Sequence, residues 1–299
     1  ISPMPTPQIS PMPAPQVSPL VTPTQQTVKV ASVWPEGKIL YHADQTGVYQ
    51  LYVAQGQQTP TLLTPDSPSG VEGNWSPDGQ RIAFAATNGP DNIQIYTMQA
   101  DGSDLTLLPV DQPSLNWYPK WSPDGEMLLF VTNRDGNFEI YKATVDGDFL
   151  VNLTNHSYND QEPDWSPDGQ KIIFVSDREG GDGLYLMDAE GSNVQQLLDD
   201  SWGCRYPRWS PDGQQIAFNA KSSGTHHIYV MNRDGSNVRK ITERTGDNVM
   251  PAWIGNDRIV FSGDMGDMTW DLFIVNVDGS GLVRLTDTQY SERYPHWHP

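Results

Sequence analysis

The sequence predicts an all-β protein: a six-bladed β-propeller with four antiparallel strands per blade, preceded by an extended Pro-rich N-terminal arm. Three observations carry this. The pentapeptide Trp-Ser-Pro-Asp-Gly occurs four times, starting at Trp75, Trp121, Trp165 and Trp209. The last three begin 44 residues apart, and the same step reaches Trp253 and Trp297, which keep the Trp without the turn residues. Each of these Trp residues before the last is followed by the same succession of short β-branched or aromatic runs and Gly-containing turns. Repetition at such a period marks stacked units that cannot bury their apolar faces alone. Four short strands per unit, joined by tight turns, describe one blade of a propeller.

Each pentapeptide is a turn between the first and second strands of a blade. Pro pre-sets φ, Asp caps its own backbone and Gly takes the positive φ that a bulged hairpin requires. Second strands follow at 81–84, 127–130, 171–174, 215–218 and 258–261, and third strands at 93–98, 138–143, 183–187, 226–231 and 271–275. An Asp-Gly or Glu-Gly turn and a fourth strand close each unit, ending in Leu153-Thr154, Ile241-Thr242 or Leu285-Thr286. Blade one starts near Trp34, with Pro35-Glu36-Gly37 as its turn and strands at 38–41, 49–54 and 61–64. Two segments, 28–33 and 293–298, compete for its innermost position. Closure by the C-terminal segment is the expected solution, because it ties the ends and removes open edges. The alternative is pairing with the next molecule, a non-closing contact that would build fibres.

The run Pro-x-Trp-Ser-Pro-Asp-Gly, apolar strand, Ile-Tyr-x-Met, Asp-Gly-Ser, Leu-Thr resembles the WD-like repeats of TolB-type propellers, over residues 34 to 299. The resemblance implies the fold and leaves function open, since that repeat also builds the propeller of prolyl-oligopeptidase-like hydrolases and of many secreted proteins. A TolB-like reading implies a periplasmic envelope accessory protein that binds a peptide or lipoprotein at the channel mouth. The separate N-terminal α/β domain of TolB is replaced here by the arm.

Residues 28–299 are therefore read as one propeller and residues 1–27 as the arm. The arm has its own period of eight, from Ile1-Ser2-Pro3-Met4-Pro5 onward, and Pro at this density favours extended polyproline II. Its expected role is docking on a neighbouring copy or partner, and its Ser, Thr and Pro residues are candidates for carrying sugars. The net charge of −19 disfavours nucleic-acid partners. Cys204 is the single cysteine, so no internal disulfide forms. No run of 18 apolar residues provides a membrane span. Ile1 and the missing leader are read as a mature, extracytoplasmic chain, secreted, surface-bound or periplasmic.

The residue two places before each repeat Trp-preceding position forms the main candidate site: Glu72, Tyr118, Glu162, Tyr206, Met250 and Tyr294, each three residues ahead of a Trp. These six are expected to ring the channel mouth and bind a ligand or partner, because aromatics offer contact area at little entropic cost. The competing reading is that the tyrosines pack on adjacent blades. Arg134 and Arg178, in loops 132–137 and 176–182, are added as partner-binding candidates. Those loops look calcium-like, but the central Arg favours an Arg–carboxylate pair, and Asp264 and Asp267 are read with the same caution. His42, His296 and His298 are close enough in the predicted blade to suggest zinc, yet lack a Cys or carboxylate at ligand spacing. No catalytic residue, metal site or cofactor is assigned. The Gly-x-Ser-x-Gly elbow, a Gly-rich phosphate loop and His-Glu-x-x-His are all missing from the sequence. Asn74, Asn152 and Asn155 fit the sugar-acceptor pattern. The expected function is a non-enzymatic protein-binding or structural module, with the TolB-like accessory protein and a lectin or propeller enzyme as alternatives.

Overall fold

The computed structural model describes residues 29–30, 34–65, 69–87, 92–110, 114–264, 266 and 269–299. They form six antiparallel sheets of four strands each, the sixth joined by one further short strand. Blade two illustrates the unit, with Gly70–Trp75, Arg81–Thr87, Ile93–Gln99 and Thr106–Leu107 paired in sequence order. Blades three to six repeat it from Asn116–Trp121, Asp160–Trp165, Arg205–Trp209 and Asn248–Ile254.

The repeated turn forms as its residues dictate. In blade two the Ser76 hydroxyl donates to Asp78 Oδ1 at 2.6 Å and accepts from the Arg81 N–H at 2.9 Å, while the Gln80 N–H donates to the same Asp78 oxygen. Gly79 sits at a φ of 66°, and the three related glycines lie between 67° and 73°.

Blades cohere through cross-strand aromatic pairs. The second strand of every blade carries a fully buried ring, Tyr41, Phe84, Phe130, Phe174, Phe218 or Phe261. Each stands opposite a second ring on the third strand, with centroids 5.6 to 6.0 Å apart. Between blades, the buried side chains form six apolar clusters, each mixing residues of two adjacent blades around the repeat Trp of one of them. Trp209, for example, packs with Ile173, Leu186 and Phe218. Burial of such a ring is worth roughly 1.5–3 kcal/mol relative to exposure.

The C-terminal segment closes the ring. Glu292–His298 pairs antiparallel with Lys38–Ala43 as the innermost strand of blade one. Its competitor takes no such place: Lys29–Val30 adds parallel to Val283–Arg284 at the outer edge of blade six. The seam is specific. The His296 Nδ1 accepts the Trp75 N–H at 3.0 Å, and the Trp297 indole N–H donates to the Glu36 carbonyl at 2.8 Å. Gly79 leaves room for the His298 imidazole, which a Cβ there would meet at 2.4 Å. The arm, 1–27, and Asp267 lie outside the described residues.

Deleting residues 292–299 is expected to abolish the cooperative thermal transition, because both faces of the seam and the inner edge of blade one open together. A truncated monomer that keeps its melting midpoint by circular dichroism counts against closure as the source of cooperativity.

Candidate functional site

The six predicted ring residues share one backbone device. In each blade the register between first and second strands slips by one residue, so that two residues face one. In blade two, Val71 pairs with Ala85 and Asn74 with Ala83, leaving Glu72 and Gly73 opposite Phe84. The first bulged residue is left-handed every time: Glu72, Tyr118, Glu162, Tyr206, Met250 and Tyr294 have φ between 54° and 59°. For non-glycine residues this conformation costs of order 1–3 kcal/mol each. It re-aims one side chain per blade toward the axis.

Three tyrosines from alternate blades meet there. The Tyr206 and Tyr294 hydroxyls are 2.9 Å apart and their rings meet edge-on at 5.5 Å, while Tyr118 approaches Tyr206 at 6.2 Å. Glu72, Glu162 and Met250 alternate with them. Both carboxylates also fasten adjacent blades: Glu72 Oε2 accepts the Tyr118 N–H at 2.8 Å, and Glu162 Oε2 accepts the Tyr206 N–H at 2.6 Å. Glu162 further meets Arg205 at 3.3 Å, and Arg205 reaches Asp182 at 2.8 Å. His42 and Asn219 serve the same purpose for the N–H groups of Glu72 and Met250. The candidate ring is thus also an inter-blade clasp.

A second ring, which sequence reasoning missed, lies two residues further along each strand: Asn74, Lys120, Asp164, Arg208, Ala252 and His296. Its signal was available as the constant position just before each repeat Trp. Asn74, Asp164 and His296 accept the Trp N–H of the following blade, at 3.5, 2.9 and 3.0 Å. The waist so formed holds a cavity of about 20 Å³ lined by Glu72, Tyr118, Lys120, Arg208, Tyr294 and His296. That is room for about one water, so the waist is too narrow for a larger molecule to thread.

Burial dominates the protonation of this waist. It pushes the Glu72 carboxyl up to about 8 despite the Tyr118 N–H, and raises Glu162 and Asp164 against the pull of Arg205 and Arg208 respectively. Burial, then the charge of Arg208, lowers the Lys120 ammonium to about 7. His296 falls well below its ordinary value for the same first reason.

Arg134 and Arg178 are not brought to the ring. Each caps the aromatic pair of its own blade, Arg134 over Tyr141 and Arg178 over Tyr185, both at 4.7 Å. Arg178 also pairs with buried Asp160 at 2.9 Å, the Arg–carboxylate arrangement expected of its loop. His42 and His296 each spend a ring nitrogen on a backbone N–H. Among the described residues no three His, Cys, Asp or Glu side chains gather as metal ligands. Of the sugar-acceptor matches, Asn74 is buried and committed to Trp121, whereas Asn155 is exposed.

A family model, the TolB beta propeller domain, matches residues 108–202 and 201–299. The chain belongs to this family. Among curated relatives, an uncharacterized protein of Agrobacterium fabrum is 34% identical over 106 residues, 35% of each chain. The Tol-Pal system protein TolB of Alcanivorax borkumensis is 31% identical over 106 residues, 33% of this chain and 24% of that protein. The chain therefore spans about a third or less of the curated relatives it matches. Among solved structures, TolB from Acinetobacter baumannii superposes with a TM-score of 0.76 at 25% identity, over 87% of this chain and 66% of that one. An oligogalacturonate lyase of Vibrio parahaemolyticus, at 16% identity and a TM-score of 0.60 over 85% and 75% of the two chains, shares the fold alone. Among the described residues no helix is long and apolar enough to cross a membrane.

Glu72 yields a pH prediction. Its folded carboxyl holds a proton more tightly than an unfolded one, so its contribution to stability is full below about 4.5 and is lost as pH rises to about 8. Glu72→Gln keeps an acceptor for the Tyr118 N–H and does not titrate. The melting temperature of Glu72→Gln minus that of the wild type should increase steadily from pH 5 to pH 8. A difference independent of pH would contradict the buried, protonated carboxyl.

Proposed function

We propose that this protein is a non-enzymatic, extracytoplasmic recognition propeller, an envelope accessory protein of the TolB type that binds a polypeptide partner at the channel mouth. The single observation that carries the reading is the ring of six left-handed residues, which turns Tyr118, Tyr206 and Tyr294 toward one point above a waist too narrow for a ligand. Aromatic side chains held rigidly at the centre of a concave surface are the usual anchors of a protein interface. Family membership supports the same reading, since the relatives include a Tol-Pal system protein.

The companion expectation, a structural module or fibre assembled through the arm, has nothing among the described residues to support it. The enzyme alternative draws on an uncharacterized peptidase of Bacillus subtilis, 39% identical over 59 residues that are 9% of that protein, and on fold neighbours of low identity such as the lyase.

The test is capture of envelope proteins by the immobilised protein and by a Tyr118→Ala/Tyr294→Ala variant of matched folding. A specific envelope polypeptide should bind the wild type and lose roughly tenfold or more in affinity with the variant, the loss expected for two central aromatic anchors. Equal capture by both proteins would refute the ring as the binding surface.

A further inference from the structure

The hairpin of blade five is the tallest among the described residues. Gln215–Ser222 and Thr225–Asn232 each run eight residues and turn through Ser223 and Gly224, at φ of 55° and 94°, the two positive values that a two-residue hairpin loop prefers. Between this hairpin and blade six lies a cleft of about 420 Å³. It is off-axis and continuous with the ring, because Tyr206 and Met250 belong to both.

The two walls differ in chemistry. Strand alternation places Asn219 and Lys221 on one face of their strand, and His226 stands directly opposite Lys221 in the register. Asn219 is 1% exposed, and its Oδ1 accepts the Met250 N–H at 3.2 Å, which leaves its Nδ2 without a partner among the described residues. Lys221 is exposed and makes no ion pair there. The opposite wall is apolar, from Val249, Met250 and Trp270. The acids at the margin are already engaged, Asp182 with Arg205 at 2.8 Å and Asp247 with the N–H and ring of His226 at 2.7 and 3.2 Å. Uncommitted capacity is therefore N–H donation on one side and apolar surface on the other.

We propose that this cleft binds a free carboxylate carried on an apolar group, namely the C-terminal residue of a polypeptide whose last side chain is apolar. The carboxylate lies between the Asn219 amide and the Lys221 ammonium, where hydrogen bonds to an ionised acceptor are stronger than neutral ones. The last side chain rests on Val249 and Met250. A sugar fits less well, because Arg293 already stacks on the Trp270 ring at 4.2 Å. With a net charge of −19 the surface repels anions at long range, so capture depends on these local donors.

The probes are N-acetyl-alanyl-phenylalanine as free acid and as amide, titrated into the whole protein by calorimetry and heteronuclear NMR. The free acid should shift Asn219, Lys221 and Val249 resonances and bind about tenfold more tightly than the amide, the discrimination expected when a charged acceptor is lost. Lys221→Ala, a surface change, should weaken the acid about fivefold or more at an unchanged melting temperature. The Glu72 and Tyr118 resonances should stay in place during the titration, which separates this cleft from the channel-mouth reading. Equal binding of acid and amide, no shifts at the cleft, insensitivity to Lys221→Ala, or binding of glucuronic acid in place of the dipeptide would each overturn the proposal.

Discussion

A four-stranded sheet of this size has two faces to bury and only one neighbour in sequence on each side. The ring answers that constraint by making every blade the cover of the next, and the tryptophan heading each repeat is the piece that fills the gap. Each of the six apolar clusters draws on two blades, so no blade is stable by itself and none can be removed without exposing two faces. The first and last blades would then be left open. Pairing of the C-terminal strand with the strand next to the N-terminal turn of blade one removes both edges in a single hairpin-like contact.

The same geometry creates the candidate site. A flat first strand would point alternate side chains along the blade faces, where neighbouring blades need them. The bulge opposite each buried aromatic lets the strand turn past that ring, and the left-handed residue it creates brings Tyr118, Tyr206 and Tyr294 together. Its backbone strain recurs six times, so it belongs to the architecture and is offset by the packing around it. What the architecture leaves unspecified is the identity of the six side chains. Here three are tyrosines and two are acids, and the acids do two things at once, since each carboxylate that colours the mouth also satisfies a backbone N–H of the next blade. An unpaired N–H at that depth would cost about 1–3 kcal/mol, which ties the make-up of the ring to the cohesion of the blades.

Much of the fold was legible because its determinants are local. Ser76, Asp78 and Gly79 specify their turn within five residues, and the repeat fixes where the next one falls. Blade count, strand order and closure followed from that spacing. The ring was found for the same reason, through a fixed distance to a repeat Trp. The waist was not, although its place before each repeat Trp is just as constant, because Asn74, Lys120, Asp164, Arg208, Ala252 and His296 share no chemistry that would mark them as one site. For Arg134 and Arg178 the loops disclosed the residues but not their ring contacts, because Tyr141 and Tyr185 stand on the next strand and no local pattern links them. The short strand at Lys29–Val30 was also beyond reach, since its parallel partner, Val283–Arg284, is more than 250 residues away in sequence.

The repeat is most regular at its turns and least regular on the opposite face, and the irregularity is not evenly spread. Blade five extends its central hairpin, and Tyr206 and Met250 stand where that taller wall meets the ring. A segment lying across the mouth can therefore reach the cleft without crossing a ridge. Binding at one place would lower the entropic cost of binding at the other by raising the local concentration of the tethered group. A ring built from near-equal parts thus acquires a direction, and the side chains that break its symmetry are those that decide which way a bound chain would run.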